Sequence, residues 1–292
     1  MSASTVVSYP SILQKAWPII LANAAVPMLG LVDTAVIGNV GTTEDLGAIA
    51  FGALVFSFVY WGFGFLRMGT TGFVAQARGA GNEMEVRAVL GRALVLAIVL
   101  GLVLVLAQIP IRLAAFALLE GSSQVENLAQ AYFTIRIWGA PATLATFALM
   151  GLLIGLGNSR QLLLLQLFLN GLNILLDILF AGYLDMGATG IALGTVLAEL
   201  ATVIFASVLV VRNLNRTRKP DEPFWTREAI FDRTAILKTA SSNFNIMIRT
   251  LLLVFSFAYF TNQSAQFGDT TLAANHILLP SFWMVLRLLL KP

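Results

Sequence analysis

The chain has 292 residues, 58% of them hydrophobic and only 11% charged, and a mean hydropathy of +0.84. A soluble domain carries roughly a quarter of its residues as charges, so this composition excludes an ordinary soluble fold and assigns the apolar surplus to lipid. The net charge of +3 comes with no Lys/Arg run interleaved with aromatics, which argues against nucleic-acid binding. Zero cysteines and a single histidine, His276, exclude disulfides, thiolate catalysis and Cys- or multi-His-ligated metals.

The N-terminal MSASTVVSYPSILQK has no basic region before an apolar stretch and no small-residue cleavage site, so no removable signal peptide is expected. A bilayer core about 30 Å thick needs about 20 apolar residues at the helical rise, and the sequence supplies that length repeatedly. The predicted helical spans are 12–38, 47–74, 89–117, 127–156, 161–184, 188–211, 234–262 and 271–290. No ten-residue alternating segments occur, so the expected fold is an all-α polytopic bundle rather than a barrel.

Loop charges orient these spans. Lys15, Arg78, Arg87, Arg92, Arg160 and the group Arg212, Arg216, Arg218, Lys219 and Arg227 fall on one side, which the positive-inside rule makes cytoplasmic. The opposite connections carry Glu44, Asp45, Glu120, Glu126, Asp185 and Asp269 without Lys or Arg. The N-terminus is therefore expected in the cytoplasm. The stretch 212–233 reads as a linker between a six-helix lobe, 1–211, and a second lobe over 234–292. AILKTASSNFNI and LAANHILLPS in that second part echo SILQKAWPIILA and LGAIAFGALV at an offset of about 225 residues, as in a parallel repeat. Because MVLRLLLKP ends within an apolar run, the second lobe is expected to be partial, with two helices.

Ionisable groups inside a span cost about 2.5–3.5 kcal/mol each on insertion scales, so each is a functional candidate. Asp33, Arg67, Arg136, Asp177, Glu199 and Arg249 qualify. In this orientation Asp33, Tyr132, Asp177 and Thr195 share one layer, about 9–11 Å below the outer surface. Asn170, Asn173 and Asp177 are spaced three and four, which puts them on one stripe of the fifth span. Two carboxylates with amide and hydroxyl partners suit a proton or Na⁺, the latter on Asp33, Asn173, Asp177 and Thr195. Loading such a site alters its charge and biases a bistable helix. Pro18 and Pro27 give the first span places to bend. Arg136 is ambiguous: it lies near the acidic layer and is a candidate counter-charge, while Asn170 and Glu199 are candidates for the cavity wall or for helix packing. Static pairing of the aspartates with a base is the competing reading.

PMLGLVDTAVIG (Pro27 to Gly38), FLRMGTTGFVAQARGAGN (Phe65 to Asn82), IRIWGAPA (Ile135 to Ala142) and NILLD (Asn173 to Asp177) resemble the DinF-type branch of the multidrug and toxic compound extrusion (MATE) family. The likeness extends to about residue 283. It implies two six-helix lobes with alternating access, hence a six-helix N-lobe here plus two helices of an incomplete C-lobe. It also implies a monomer in the bacterial inner membrane that exports amphipathic or cationic small molecules in exchange for H⁺ or Na⁺, without a cofactor. The family's coupling site maps onto Asp33, Tyr132, Asn173, Asp177 and Thr195, and a helix-bending proline onto Pro18. The alternatives are a flippase for lipids or lipid-linked precursors, a non-transporting truncated fragment, and a channel. An intramembrane enzyme lacks support, since His276 stands alone and no GxSxG or GxGD signature occurs.

Overall fold

The computed structural model describes residues 16–22, 34–117 and 122–266. Helical turns at 16–22 and 34–40 precede α1 (Thr43–Trp61), α2 (Phe65–Gly79), α3 (Glu83–Leu106), α4 (Gln108–Phe116) and α5 (Ser123–Arg136). These are followed by α6 (Ala140–Gly155), α7 (Ser159–Asp177), α8 (Gly187–Thr217), the short α9 (Arg227–Ile230) and α10 (Arg233–Gln266). Among the described residues no strand occurs, and five helical stretches are long and apolar enough to cross a membrane: Thr43–Gly79, Glu83–Leu106, Ser123–Gly155, Ser159–Tyr183 and Gly187–Thr217. They correspond to the second through sixth expected spans. The seventh, 234–262, falls within α10. The eighth lies outside the described residues, as do Asp33, Pro27 and His276; Pro18 sits in the helical turns at 16–22, buried.

Several spans expected to be continuous are broken. The third stops at Leu106 and resumes as α4 because Pro110 offers no N–H to the preceding turn and its ring crowds the carbonyl of residue 106. The fourth is interrupted by a single 3₁₀ turn, Ile137–Gly139, at the same offset ahead of Pro141, which opens α6. In the second span the backbone turns at Gly62 to Gly64 between α1 and α2, and the fifth widens into a π-helical turn, Ile178–Tyr183, directly after Asp177. The segment expected as a loop from 212 starts later, because α8 continues to Thr217.

α6 occupies the middle of the bundle, packed on α2, α3 and α8. Its Gly151 and Gly155 let α2 approach so closely that an added Cβ would stand 2.6 Å from the Arg67 carbonyl and 2.8 Å from that of Thr71. On α3, Val95, Ile98, Val99, Leu102 and Leu106 are exposed while Ala93, Ala97, Gly101 and Leu104 are buried. Large side chains outward and small ones inward, at helical spacing, are what a helix facing acyl chains requires.

At the basic end of the bundle, the segment after α8 is folded back onto α3. Arg87, whose side chain is fully buried, pairs with Glu222 at 2.7 Å, and its carbonyl accepts from Trp225 Nε1 at 2.9 Å. Arg92 donates to the Ala229 carbonyl at 2.6 Å, and Ile230 lies against Gly91. The chain divides into two compact units, one through Asn243 and the other from Phe244, and everything placed so far up to Asn243 belongs to the first.

Candidate functional site

α7 delivers Asn173 and Asp177 to one face, a turn apart, and both are fully buried. α8 meets that face with Gly190, Gly194 and Thr195. A Cβ on Gly194 would stand 2.6 Å from Asp177 Oδ1, and one on Gly190 3.0 Å from the Ala181 nitrogen, so the two small residues are what bring Thr195 alongside the carboxylate. The Asn173 amide donates to Asp177 Oδ1 at 3.4 Å and to Thr195 Oγ1 at 3.3 Å. Thr195 spends its own proton on the Ile191 carbonyl, at 2.9 Å. That leaves Asn173 Oδ1 buried with no hydrogen-bond partner among the described residues. A buried oxygen of this kind is costly unless a hydrogen-bond donor or a cation meets it. The donor set, carboxylate, amide carbonyl and hydroxyl, is hard oxygen throughout and fits H⁺ or Na⁺. Among the described residues no three His, Cys, Asp or Glu gather as a transition-metal site would need.

Tyr132, from α5, is buried; its ring covers Gly52 of α1 and meets Phe56 edge-on at 6.4 Å. Asn170, one turn earlier on α7, accepts at its Oδ1 from Gln166 at 3.5 Å. Asp33, the expected second acid of the layer, lies outside the described residues. Arg136, considered as a counter-charge to the aspartates, takes a different partner. Its Nη1 pairs with Glu199 Oε1 at 3.2 Å, and its guanidinium lies over the Phe56 ring at 5.1 Å. Glu199 packs over Gly139, in the 3₁₀ turn that Pro141 produces. The Arg136–Glu199 pairing was not legible from spacing, because it depends on how α5 is rotated against α8. Arg112, on α4, was also passed over by the reading of intramembrane charges; it reaches Thr134 of α5 at 3.4 Å.

A family model described as MatE matches residues 18–179. The DNA damage-inducible protein F of Escherichia coli (strain K12) is 37% identical over 264 residues, 90% of this chain and 57% of that protein. A probable multidrug resistance protein NorM of Synechococcus is 32% identical over 191 residues, 63% of this chain and 40% of that protein. The chain thus spans about half the length of these curated relatives. Among solved structures, the Vibrio cholerae MATE transporter VcmN in the bent form superposes with a TM-score of 0.77 at 21% identity, over 91% of this chain and 59% of that one. A MOP superfamily transporter from Pyrococcus furiosus gives 0.76 at 22% identity, over 95% and 60%. The fold is therefore that of the MATE and MOP transporters. With its family model matched over more than half its length, the chain belongs to the MATE family, a family of membrane transporters and not of enzymes.

Proposed function

We propose that this chain works as the cation-coupled part of a secondary active exporter, exchanging amphipathic or cationic compounds for H⁺ or Na⁺ across the bacterial inner membrane, with its N-terminus in the cytoplasm. Residues 1–211 form the coupling lobe, 212–233 the linker, and 234–292 contribute helices of the second lobe. Asp33, Tyr132, Asn173, Asp177 and Thr195 hold the ion. The observation that supports this most strongly is the fully buried Asn173–Asp177–Thr195 cluster with its orphaned amide oxygen. An ion entering there replaces water with fixed oxygens, changes the charge of α7 next to its π-helical turn, and so biases the position of that helix.

The chain joined to a complete second lobe and reconstituted in liposomes is expected to move a fluorescent cationic dye when, and only when, an H⁺ or Na⁺ gradient is applied, and Asp177→Asn is expected to abolish that movement. Gradient-driven transport that persists in Asp177→Asn overturns the coupling role. Movement of a labelled lipid without any gradient would instead favour the flippase reading.

A further inference from the structure

A second group of buried polar atoms gathers where α1, α5 and α6 meet α8, one turn beyond Thr195 in sequence. Its acid is Glu199, which is 7% exposed, and the carboxylate engages its two oxygens unequally. Oε1 meets a single Arg136 nitrogen, Nη1, at 3.2 Å, where a fork-shaped pair would make two contacts at about 2.7–2.9 Å. The guanidinium lies instead over the Phe56 ring. Oε2 sits against Gly139, whose missing Cβ makes room for it, and has no hydrogen-bond partner among the described residues. The Thr143 hydroxyl of α6 stands beside both this carboxylate and the Tyr60 hydroxyl of α1, yet its one proton goes to the Gly139 carbonyl, at 3.1 Å. A hydroxyl whose proton is spent offers only lone pairs. The Tyr60 hydroxyl is also buried without a hydrogen-bond partner among the described residues.

We propose that Glu199 is a proton-binding site of this lobe, separate from the Asn173–Asp177–Thr195 cluster, which takes a proton on Oε2 and gives it up again. An ionised carboxylate with one oxygen unmet inside a span costs more than a neutral acid. A proton on Oε2 turns that oxygen into a donor, with the Thr143 and Tyr60 oxygens as acceptors. The step is carboxylate plus proton to carboxylic acid, and no other bond changes. The pair passes from neutral to singly positive, because the guanidinium stays charged at any accessible pH, and that charge rests on the Phe56 ring at 5.1 Å. The pair is not sealed, since the Arg136 side chain keeps 15% of its surface exposed. The charged and titratable groups acting on it are Tyr132 from α5 and Tyr60 from α1. Elsewhere around α8, the 3₁₀ turn and α6 contribute the neutral Gly139 and Thr143, α7 brings its acid, Asp177, to Gly194, and Tyr183 of the π-helical turn is exposed. The proposal does not require Asp177 to bind an ion.

The test uses the purified 292-residue chain in nanodiscs. Proton uptake is counted by potentiometry as the pH falls from about 8 to about 5, a range in which exposed carboxylates stay largely ionised. The carboxylic C=O stretch is followed over the same range by infrared difference spectroscopy. Glu199→Gln is expected to take up about one proton per chain fewer than the unmodified chain and to lose one C=O band. Asp177→Asn is expected to keep that band. A salt bridge that only holds α5 to α8 leaves Glu199 ionised throughout, so equal uptake and an unchanged band in Glu199→Gln overturn the proposal. Loss of the same band in both variants also overturns it, because one proton would then be shared with Asp177. If Glu199→Gln fails to fold, Arg136→Gln/Glu199→Gln, which strands no charge, is measured in its place. Uptake lower by about one proton in that folded double variant supports the proposal, and uptake equal to that of the unmodified chain overturns it.

Discussion

Gly194 is constrained by a group on another helix. A methyl added there would stand 2.6 Å from Asp177 Oδ1 and 3.3 Å from the Leu176 Cβ, so α8 would have to retreat or the carboxylate rotate out of reach of Asn173. Overpacking of this kind costs about 1–3 kcal/mol, and here the strain falls on the acid itself. Gly194→Ala is expected to weaken Asp177-dependent proton or sodium uptake by about tenfold, although it removes no polar atom. Gly171→Ala, on α7 with nothing within 4 Å of its added carbon, is expected to leave uptake unchanged and serves as the control. Equal loss in both variants would mean that the sensitivity lies in general helix packing rather than in the contact with Asp177.

At the scale of elements, hydrophobic length announced where helices cross the membrane, because a span must satisfy its own backbone and cover itself with apolar side chains over about 20 residues. The same count is blind to interruptions. Pro110 and Pro141 each break the helix one turn upstream, at Leu106 and at Ile137–Gly139, and the rule that a proline crowds the carbonyl four residues back was available from sequence. The π-helical turn after Asp177 carries no proline and was not readable. The stripe Asn173–Asp177 and the depth of Thr195 were legible from periodicity, since both follow from the helical repeat alone. The partner of Arg136 was not, because helix rotation is set by tertiary packing through Gly139 and Gly194. The linker gives the clearest test of what packing adds. Sequence showed a polar connection, whereas Glu222 and Trp225 clamp it to the buried Arg87. Removing Glu222, whose side chain is 35% exposed, strands the fully buried Arg87 guanidinium, at a cost of about 1–3 kcal/mol. Glu222→Ala is therefore expected to lower the unfolding midpoint and expose the 218–231 segment to protease. Arg87→Met/Glu222→Ala, which leaves no stranded charge, is expected to recover most of the lost stability. Protection that is unaltered in Glu222→Ala would show that the clamp does not hold the linker.

For the molecule as a whole, the orientation rests on positive charge gathered at one end of the bundle, and the structure shows that much of this charge is engaged. Arg78 pairs with Glu83, Arg87 with Glu222, and Arg92 with Glu85. The pairing does not cancel the topological argument, because orientation is fixed as each span enters the membrane, before these contacts exist, and acidic residues contribute little to it. Arg160 and Arg212 add to the same end, while the helix starts at the other end are capped by acids and hydroxyls. Asp45 there closes the capping box of α1 with Thr42 and accepts from the Ala188 nitrogen at 2.9 Å, tying two helix N-termini together. A chain without cysteine permits a direct check, because each introduced thiol is the sole target. Thr43→Cys is expected to react with a membrane-impermeant maleimide in intact cells, whereas Arg160→Cys and Asp221→Cys, both at exposed positions, are expected to react only after the membrane is opened. Labelling of the last two in intact cells would invert the bundle, and with it the direction in which a cation gradient reaches Asp177.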